Sequence, residues 1–293
     1  MQAILDRTLT NIRGRTGEVR VVKGCGMDAE TRLALATLET LAGRGRVAVA
    51  GGFMPDCGVQ AHLATLGVAE RVQEPDFFKY RHMVVPYCGV SPRLRKSWEE
   101  AEIDLTDLTS PRVRRAQVAL GLLRMEGAQA LVIGRHEDPE SQALAGVTHG
   151  TKIIEDTRDT ARLHYAPAFG VVCQTTLSPR RTSWLVQQLR MRYRDARVTF
   201  LDTSAPAMTA REQALENMLD WAEGVVVVGQ TGEASCEALV ETALRKGRPA
   251  LIAATAAAVD PAALGGARRI ALTAGAFAMD ETIRCIAALL TRR

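Results

Sequence analysis

At 293 residues the chain is long enough for two or three compact units. Its composition, 47% hydrophobic and 24% charged with a formal net charge of +4, is that of a soluble globular protein. No apolar run reaches the roughly 18–20 residues that span a bilayer, and the opening MQAILDRTLTNIRGRTGE scatters charges where a secretory leader needs an apolar core. The expected compartment is therefore the cytoplasm.

In chain order, residues 1–18 read as an N-terminal extension. Short β-branched runs at 19–23, 46–50, 82–86, 130–134, 151–155, 169–173, 197–201, 224–228, 249–253 and 269–273 read as strands. Segments of helical period, such as 29–43, 111–126 and 209–223, lie between them. This alternation predicts an α/β fold of parallel sheets covered by helices. The turns DLTDLTSP (104–111) and FLDTSAPAM (200–208) read as seams. They divide the rest of the chain into three α/β segments, 19–109, 110–203 and 204–293. The densest basic run, 180–197, reads as a helix with a solvated face, and aromatic residues are only 4%. Neither nucleic acid nor a membrane is an expected partner.

Six cysteines in a cytoplasmic chain of this length do not form a disulfide framework. Three of them recur in one setting: Cys25-Gly26, Cys57-Gly58 and Cys88-Gly89, spaced 32 and 31 residues apart, each at a strand-to-helix turn. Ligands of α/β units gather at the carboxyl ends of strands. Each thiol taken alone reads as a small buried side chain, and only the three together read as ligands. Cys173, Cys236 and Cys285 read as core residues, and His62, His82, His149 and His164 as structural. In GRHEDPE (134–140), His136 and Glu137 read as a solvated loop. The GQTGEAS loop (229–235) lacks a Lys, and Glu233 would repel a phosphate.

The segments CGVSP (88–92), DLTSP (107–111), VIGRHEDPE (132–140), QTTLS (174–178), LDTSAPAMTAREQAL (201–215), VVVVGQTGEASCEAL (225–239) and LTAGAFAMDETI (272–283) occur in the order of the LytB/IspH family, which the chain resembles from about residue 20 to its end. That resemblance implies a trefoil of three α/β domains with small, mainly parallel sheets around a central pocket. It also implies a 4Fe–4S cluster held by one cysteine from each domain, and reduction of 4-hydroxy-3-methylbut-2-enyl diphosphate. Cys25 matches the first cluster position, but Ser110 and Ala205 stand at the other two. The family's diphosphate contacts fall on Pro55-Asp56, Cys88, Asp138, Glu233, Ser235 and Phe277. Glu140 matches the proton-relay glutamate and Thr175 the threonine that contacts the substrate hydroxyl.

These departures predict a member of the family that lacks two cluster cysteines and the diphosphate pocket. The expected activity is that of an iron–sulfur oxidoreductase or lyase, carrying out reductive dehydration, elimination or related redox chemistry on a small non-diphosphate substrate. Cys25, Cys57 and Cys88 would be the ligands of a 4Fe–4S cluster, with an electron-donor protein as a further partner. Glu140 would be the proton donor and Thr175 a substrate contact. Asp138, Glu233, Ser235 and Phe277 would line the pocket. Two alternatives stay open from the residues: a cluster-free binding or regulatory protein with the same fold, and a zinc- or thiol-dependent enzyme using the same cysteines.

Overall fold

The structure is a computed structural model that describes residues 12–13, 17–72, 76–80 and 82–292. Most of the expected N-terminal extension lies outside the described residues. Along the chain run β1 (Ile12–Arg13), β2 (Glu18–Val21), α1 (Ala29–Ala42), β3 (Ala48–Ala50), α2 (Cys57–Thr65), β4 (Ala69–Val72), β5 (His82–Val85), α3 (Pro92–Glu100), β6 (Asp104–Asp107) and α4 (Pro111–Met125). Then come β7 (Gln129–Ile133), α5 (Pro139–Ala145), β8 (Lys152–Ile154), α6 (Thr157–Arg162), β9 (Ala168–Cys173), α7 (Pro179–Arg192), β10 (Arg197–Phe200) and α8 (Pro206–Met218). The chain closes with β11 (Gly224–Val228), α9 (Ala234–Arg245), β12 (Ala250–Ala253), β13 (Arg269–Ala274) and α10 (Asp280–Arg292). The expected fold class, α/β with small and mainly parallel sheets, is what the chain has.

A cap followed by proline starts the helices that matter for the site. Ser91 Oγ accepts from the Leu94 amide at 3.3 Å, Ser110 Oγ from the Arg112 amide at 3.3 Å, and Asp138 Oδ1 from the Glu140 amide at 2.8 Å. In each case a proline takes the first helical position, where its missing N–H costs nothing. These turns fix how far beyond each strand the next functional side chain lies.

The chain forms two compact units. One contains Leu33–Met54 and Leu63–Ala205 and holds two four-stranded sheets, ordered β4-β3-β5-β6 and β10-β9-β7-β8. Every pairing in them is parallel. Ile133 pairs with Cys173 and Phe200 with Val171, so the turns after β7, β9 and β10 emerge side by side. Val85 pairs with Asp107, which sets the Cys88 turn beside the Ser110 turn. The first sheet's core includes Met83, Val85, Phe77 and Trp98, whose two rings meet edge to face at 5.3 Å. The second packs Val132 and Val172 under Val113, Ala116 and Leu120 of α4.

The other unit combines the described residues up to Arg32 with Pro55–His62 and Pro206–Arg293. Its sheet is ordered β1-β2-β13-β11-β12, antiparallel only between β1 and β2. All five residues of β11, Gly-Val-Val-Val-Val, are buried, as a parallel strand covered on both faces requires. One face packs Val226, Val228 and Leu272 against Ile283 and Ile286, and the other packs Val225 and Val227 against Leu215 and Leu239.

Two features differ from the sequence expectation. The strand expected at 19–23 does not belong to the sheet of the segment that follows it; β2 pairs with β13. Strands β4 and β6 were not expected, because Ala-Glu-Arg-Val and Asp-Leu-Thr-Asp carry charges that suit the edges of a sheet, where they sit. No described helix is long and apolar enough to cross a membrane.

Candidate functional site

In the larger unit, the turns after β5, β7, β9 and β10 bring acids and thiols to one end of the strands. Glu140 lies in the first turn of α5 and is 5% exposed. Its Oε1 accepts the Thr175 amide at 2.5 Å and its Oε2 accepts the Thr175 hydroxyl at 2.9 Å. Burial, reinforced by the charge of Asp138, pushes the Glu140 carboxyl up to about 8, with the two Thr175 bonds opposing the rise. Asp138, the cap of α5, is also raised, chiefly by burial, while the amides of Glu140 and Ser141 pull it down.

The turn is held from beneath by Gln174, whose Oε1 accepts the Arg135 amide and the Ser141 hydroxyl, each at 3.2 Å. Gly134 is required here, since a Cβ would come within 2.2 Å of Ser141 Oγ. Cys88 keeps some exposed surface, yet burial raises its thiol strongly and the charges of Asp138 and Glu140 add to the effect. It is a protonated thiol facing acids.

Cys173 joins this group, which the sequence did not reveal. It reads there as the last residue of a core strand, and it is buried. However, Thr203 brackets it, donating to its carbonyl at 2.5 Å and accepting its amide at 2.9 Å, and its Sγ lies 3.7 Å from Asp202 Oδ1. Burial pushes its thiol up to about 12, and Asp202 and Glu140 contribute. The signal was the Asp-Thr pair directly after β10, whose register sets it beside the end of β9. Ser110 and Ala205 are both buried: the Ser110 amide bonds Tyr87 O at 2.9 Å and the Ala205 amide bonds Thr175 O at 2.8 Å.

The smaller unit holds a second buried acid. Glu233, 5% exposed, precedes α9. Its carboxyl accepts from the Ser235 hydroxyl, from Cys236 Sγ at 3.2 Å and from the Ala276 amide at 3.1 Å. Burial pushes it up to about 7 against the Ser235 and Cys236 bonds, with Asp56 adding to the rise. Two glycines make the room: a Cβ on Gly275 would lie 2.7 Å from Glu233 Oε1, and one on Gly229 would lie 2.4 Å from Cys236 Sγ. Phe277 is buried next to this turn in sequence. Asp56 caps α2 through the Val59 amide at 3.0 Å, and burial raises its carboxyl. Cys57, the first residue of α2, is half-buried.

Cys25 is also half-buried; its surroundings push the thiol up to about 11 by desolvation, against the pull of Arg211. Arg211 is 2% exposed and clamps this turn, with Nε on Gly24 O at 2.9 Å and Nη2 on Gly26 O at 2.6 Å. It is another functional-site neighbour that the sequence did not single out.

Cys25 and Cys57 thus belong to one unit and Cys88 to the other. Among the described residues no three His, Cys, Asp or Glu side chains form a group able to hold a metal ion. Cys285 is exposed, not packed in a core. His136 is exposed as expected, but its Nε2 pairs with Asp159 at 2.9 Å, and His82 Nδ1 with Asp104 at 2.7 Å.

The LytB protein family model matches residues 25–291. The 4-hydroxy-3-methylbut-2-enyl diphosphate reductase of Azoarcus sp. (strain BH72) is 33% identical over 198 residues, which are 67% of this chain and 64% of that protein. The enzyme of the same name from Ralstonia nicotianae is 32% identical over 201 residues, 68% of this chain and 62% of that one. The chain therefore spans less than two thirds of the length of these relatives. Among solved structures, the E-1-hydroxy-2-methyl-but-2-enyl-4-diphosphate reductase of Plasmodium falciparum superposes with a TM-score of 0.85 at 21% identity, covering 96% of this chain and 88% of that one. A second reductase structure, of (E)-4-hydroxy-3-methyl-but-2-enyl diphosphate reductase, gives 0.66 at 17% identity, covering 94% and 99%.

These findings overturn one expectation. The relatives are named for a diphosphate substrate, and nothing among them points to a non-diphosphate substrate or to a divergent activity. Burial raises the Glu233 carboxyl to about 7, so its negative charge is not fixed at neutral pH. With the match running from residue 25 to 291, the chain belongs to the LytB family.

Proposed function

We propose that this chain is an oxidoreductase that acts on 4-hydroxy-3-methylbut-2-enyl diphosphate, the substrate for which its relatives are named, and that Glu140 supplies a proton to it. The observation that carries this reading is the Glu140 carboxyl, buried, tied by two bonds to Thr175, and raised to about 8. Replacing an allylic hydroxyl by hydrogen releases water and consumes two electrons and two protons. A general acid for such a step must hold its proton near neutral pH and release it on demand, which an acid with this pKa does. Thr175 fixes the carboxyl and is the proposed contact of the substrate hydroxyl. Asp138 lines the same site, and its charge helps raise the Glu140 carboxyl, which favours the protonated form. When protonated, Glu233 presents an O–H donor, which a phosphate oxygen accepts.

The family's 4Fe–4S cluster, when bound, would supply electrons at the substrate oxygen. The donor set of this chain does not fit it. Ser110 and Ala205, neither of which carries a thiol, stand at two of the three ligand positions. The proposal therefore rests on proton delivery, with the two electrons drawn from an external reductant.

The test is an anaerobic assay of the purified full chain with the diphosphate substrate and a reduced one-electron viologen, following viologen oxidation and the alkenyl diphosphate product. Turnover is expected, and Glu140→Gln should reduce it by about 10²–10⁴-fold. No product from the unaltered chain, or equal rates for the two proteins, would refute the reading.

A further inference from the structure

Helix α4 buries Val113, Ala116, Leu120 and Leu123 and turns Val118, Leu122 and Met125 outward, at 63%, 55% and 85% exposure. Their spacing of four and three residues puts all three on one stripe of the helix. Gly121 lies within the stripe, and a Cβ there would meet nothing within 4 Å, so the surface is open at its middle. Arg115 and Glu126 are exposed at opposite ends of the stripe, on the same flank. Among the described residues neither side chain has a hydrogen bond or ion pair.

We propose that this stripe is the contact surface of a two-fold dimer, in which a second copy of the chain lays its own α4 antiparallel against it. The register follows from the residues. With the two-fold axis between Leu120 and Gly121, Val118 packs between Leu122 and Met125 of the second copy. The two Gly121 residues meet near the axis, where the lack of a side chain lets the helices approach. Arg115 then falls opposite Glu126 of the second copy, and symmetry repeats the pair at the other end. An isologous interface requires a self-complementary patch, and this one supplies both its apolar centre and both halves of its ion pairs. A purely acidic partner or an anionic lipid surface would leave Glu126 facing like charge. One pair of 15-residue helices buries less than the roughly 1,600 Å² of a standard interface, so the dimer is of the weak class, with dissociation in the micromolar range.

The test is sedimentation velocity of the full chain over roughly 1–200 µM, the range in which such a dimer would assemble. A concentration-dependent monomer–dimer equilibrium is expected. Leu122→Glu should weaken it at least about tenfold, as should Arg115→Glu or Glu126→Arg alone. The double variant R115E/E126R should return most of the loss, because it restores opposite charges across the axis. All of these side chains are exposed, so circular dichroism should show the fold unchanged in each variant. A chain that stays monomeric throughout, a dimer indifferent to Leu122→Glu, or a double variant no better than the singles would each overturn the proposal.

Discussion

Replacing Glu140 by Gln should change how the stability of the folded chain depends on pH. In the unfolded chain this carboxyl titrates at its ordinary 4.5, and in the folded chain at about 8. Below 4.5 both states hold the proton, and the site makes no demand on folding. Between 4.5 and 8 the unfolded chain releases a proton that the folded chain keeps. Stability therefore falls as pH rises through this window and levels off above the folded pKa. The interval, at about 1.4 kcal/mol per pH unit, corresponds to about 5 kcal/mol at its upper end. Gln has nearly the same shape, still accepts one of the Thr175 donors, and does not titrate. Urea unfolding of both proteins at pH 5 and pH 8 measures the effect. The variant should gain on the parent by several kcal/mol between the two pH values, whatever fixed offset the substitution introduces. An offset that is the same at pH 5 and pH 8 would show that Glu140 is not a raised, proton-holding acid, and the proposed proton delivery would lose its physical basis.

Thr175→Val removes the hydroxyl donor to Glu140 Oε2 and keeps the amide donor, so the charged form loses one of its two stabilising bonds. The Glu140 pKa should rise further, by about one unit for a charge-assisted bond, and ¹³C NMR of labelled glutamate reads it directly. Gly275→Ala places a methyl 2.4 Å from Cys236 Sγ and 2.7 Å from Glu233 Oε1, both buried. It should destabilise the chain by about 1–3 kcal/mol in chemical denaturation, and pairing it with Cys236→Ala should recover part of that loss.

What the sequence made legible was what local chemistry decides. The Ser-Pro and Asp-Pro starts of α3, α4 and α5 are visible as dipeptides, and the all-valine run of β11 identifies a strand buried on both faces. Glu140 and Thr175, placed by resemblance, do meet through two hydrogen bonds. What stayed hidden depends on pairing across the chain. Cys173 looks like any terminal core residue until the β9–β10 register brings Asp202 and Thr203 beside it. Arg211 looks like one more charge on an amphipathic helix, yet it is buried because the carbonyls of Gly24 and Gly26 accept its guanidinium. The recurrence of Cys-Gly pairs records a repeated strand–turn–helix unit. It carried no information about which unit each turn joins.

The pairing of β2 with β13 has a consequence in time. Val21 is hydrogen-bonded in register with Leu272, 251 residues later in the chain. On a ribosome adding about 5–20 residues per second, β2 emerges on the order of 10–50 s before its partner exists. During that interval both sheets of the larger unit can be completed from strands already made, while β2 waits with nothing to pair against on the side β13 will fill. Any chain halted before Arg269 leaves that strand edge open for good. The smaller unit is therefore sealed only once β13 has been made, and translation through Arg269–Ala274 is itself the checkpoint for its assembly.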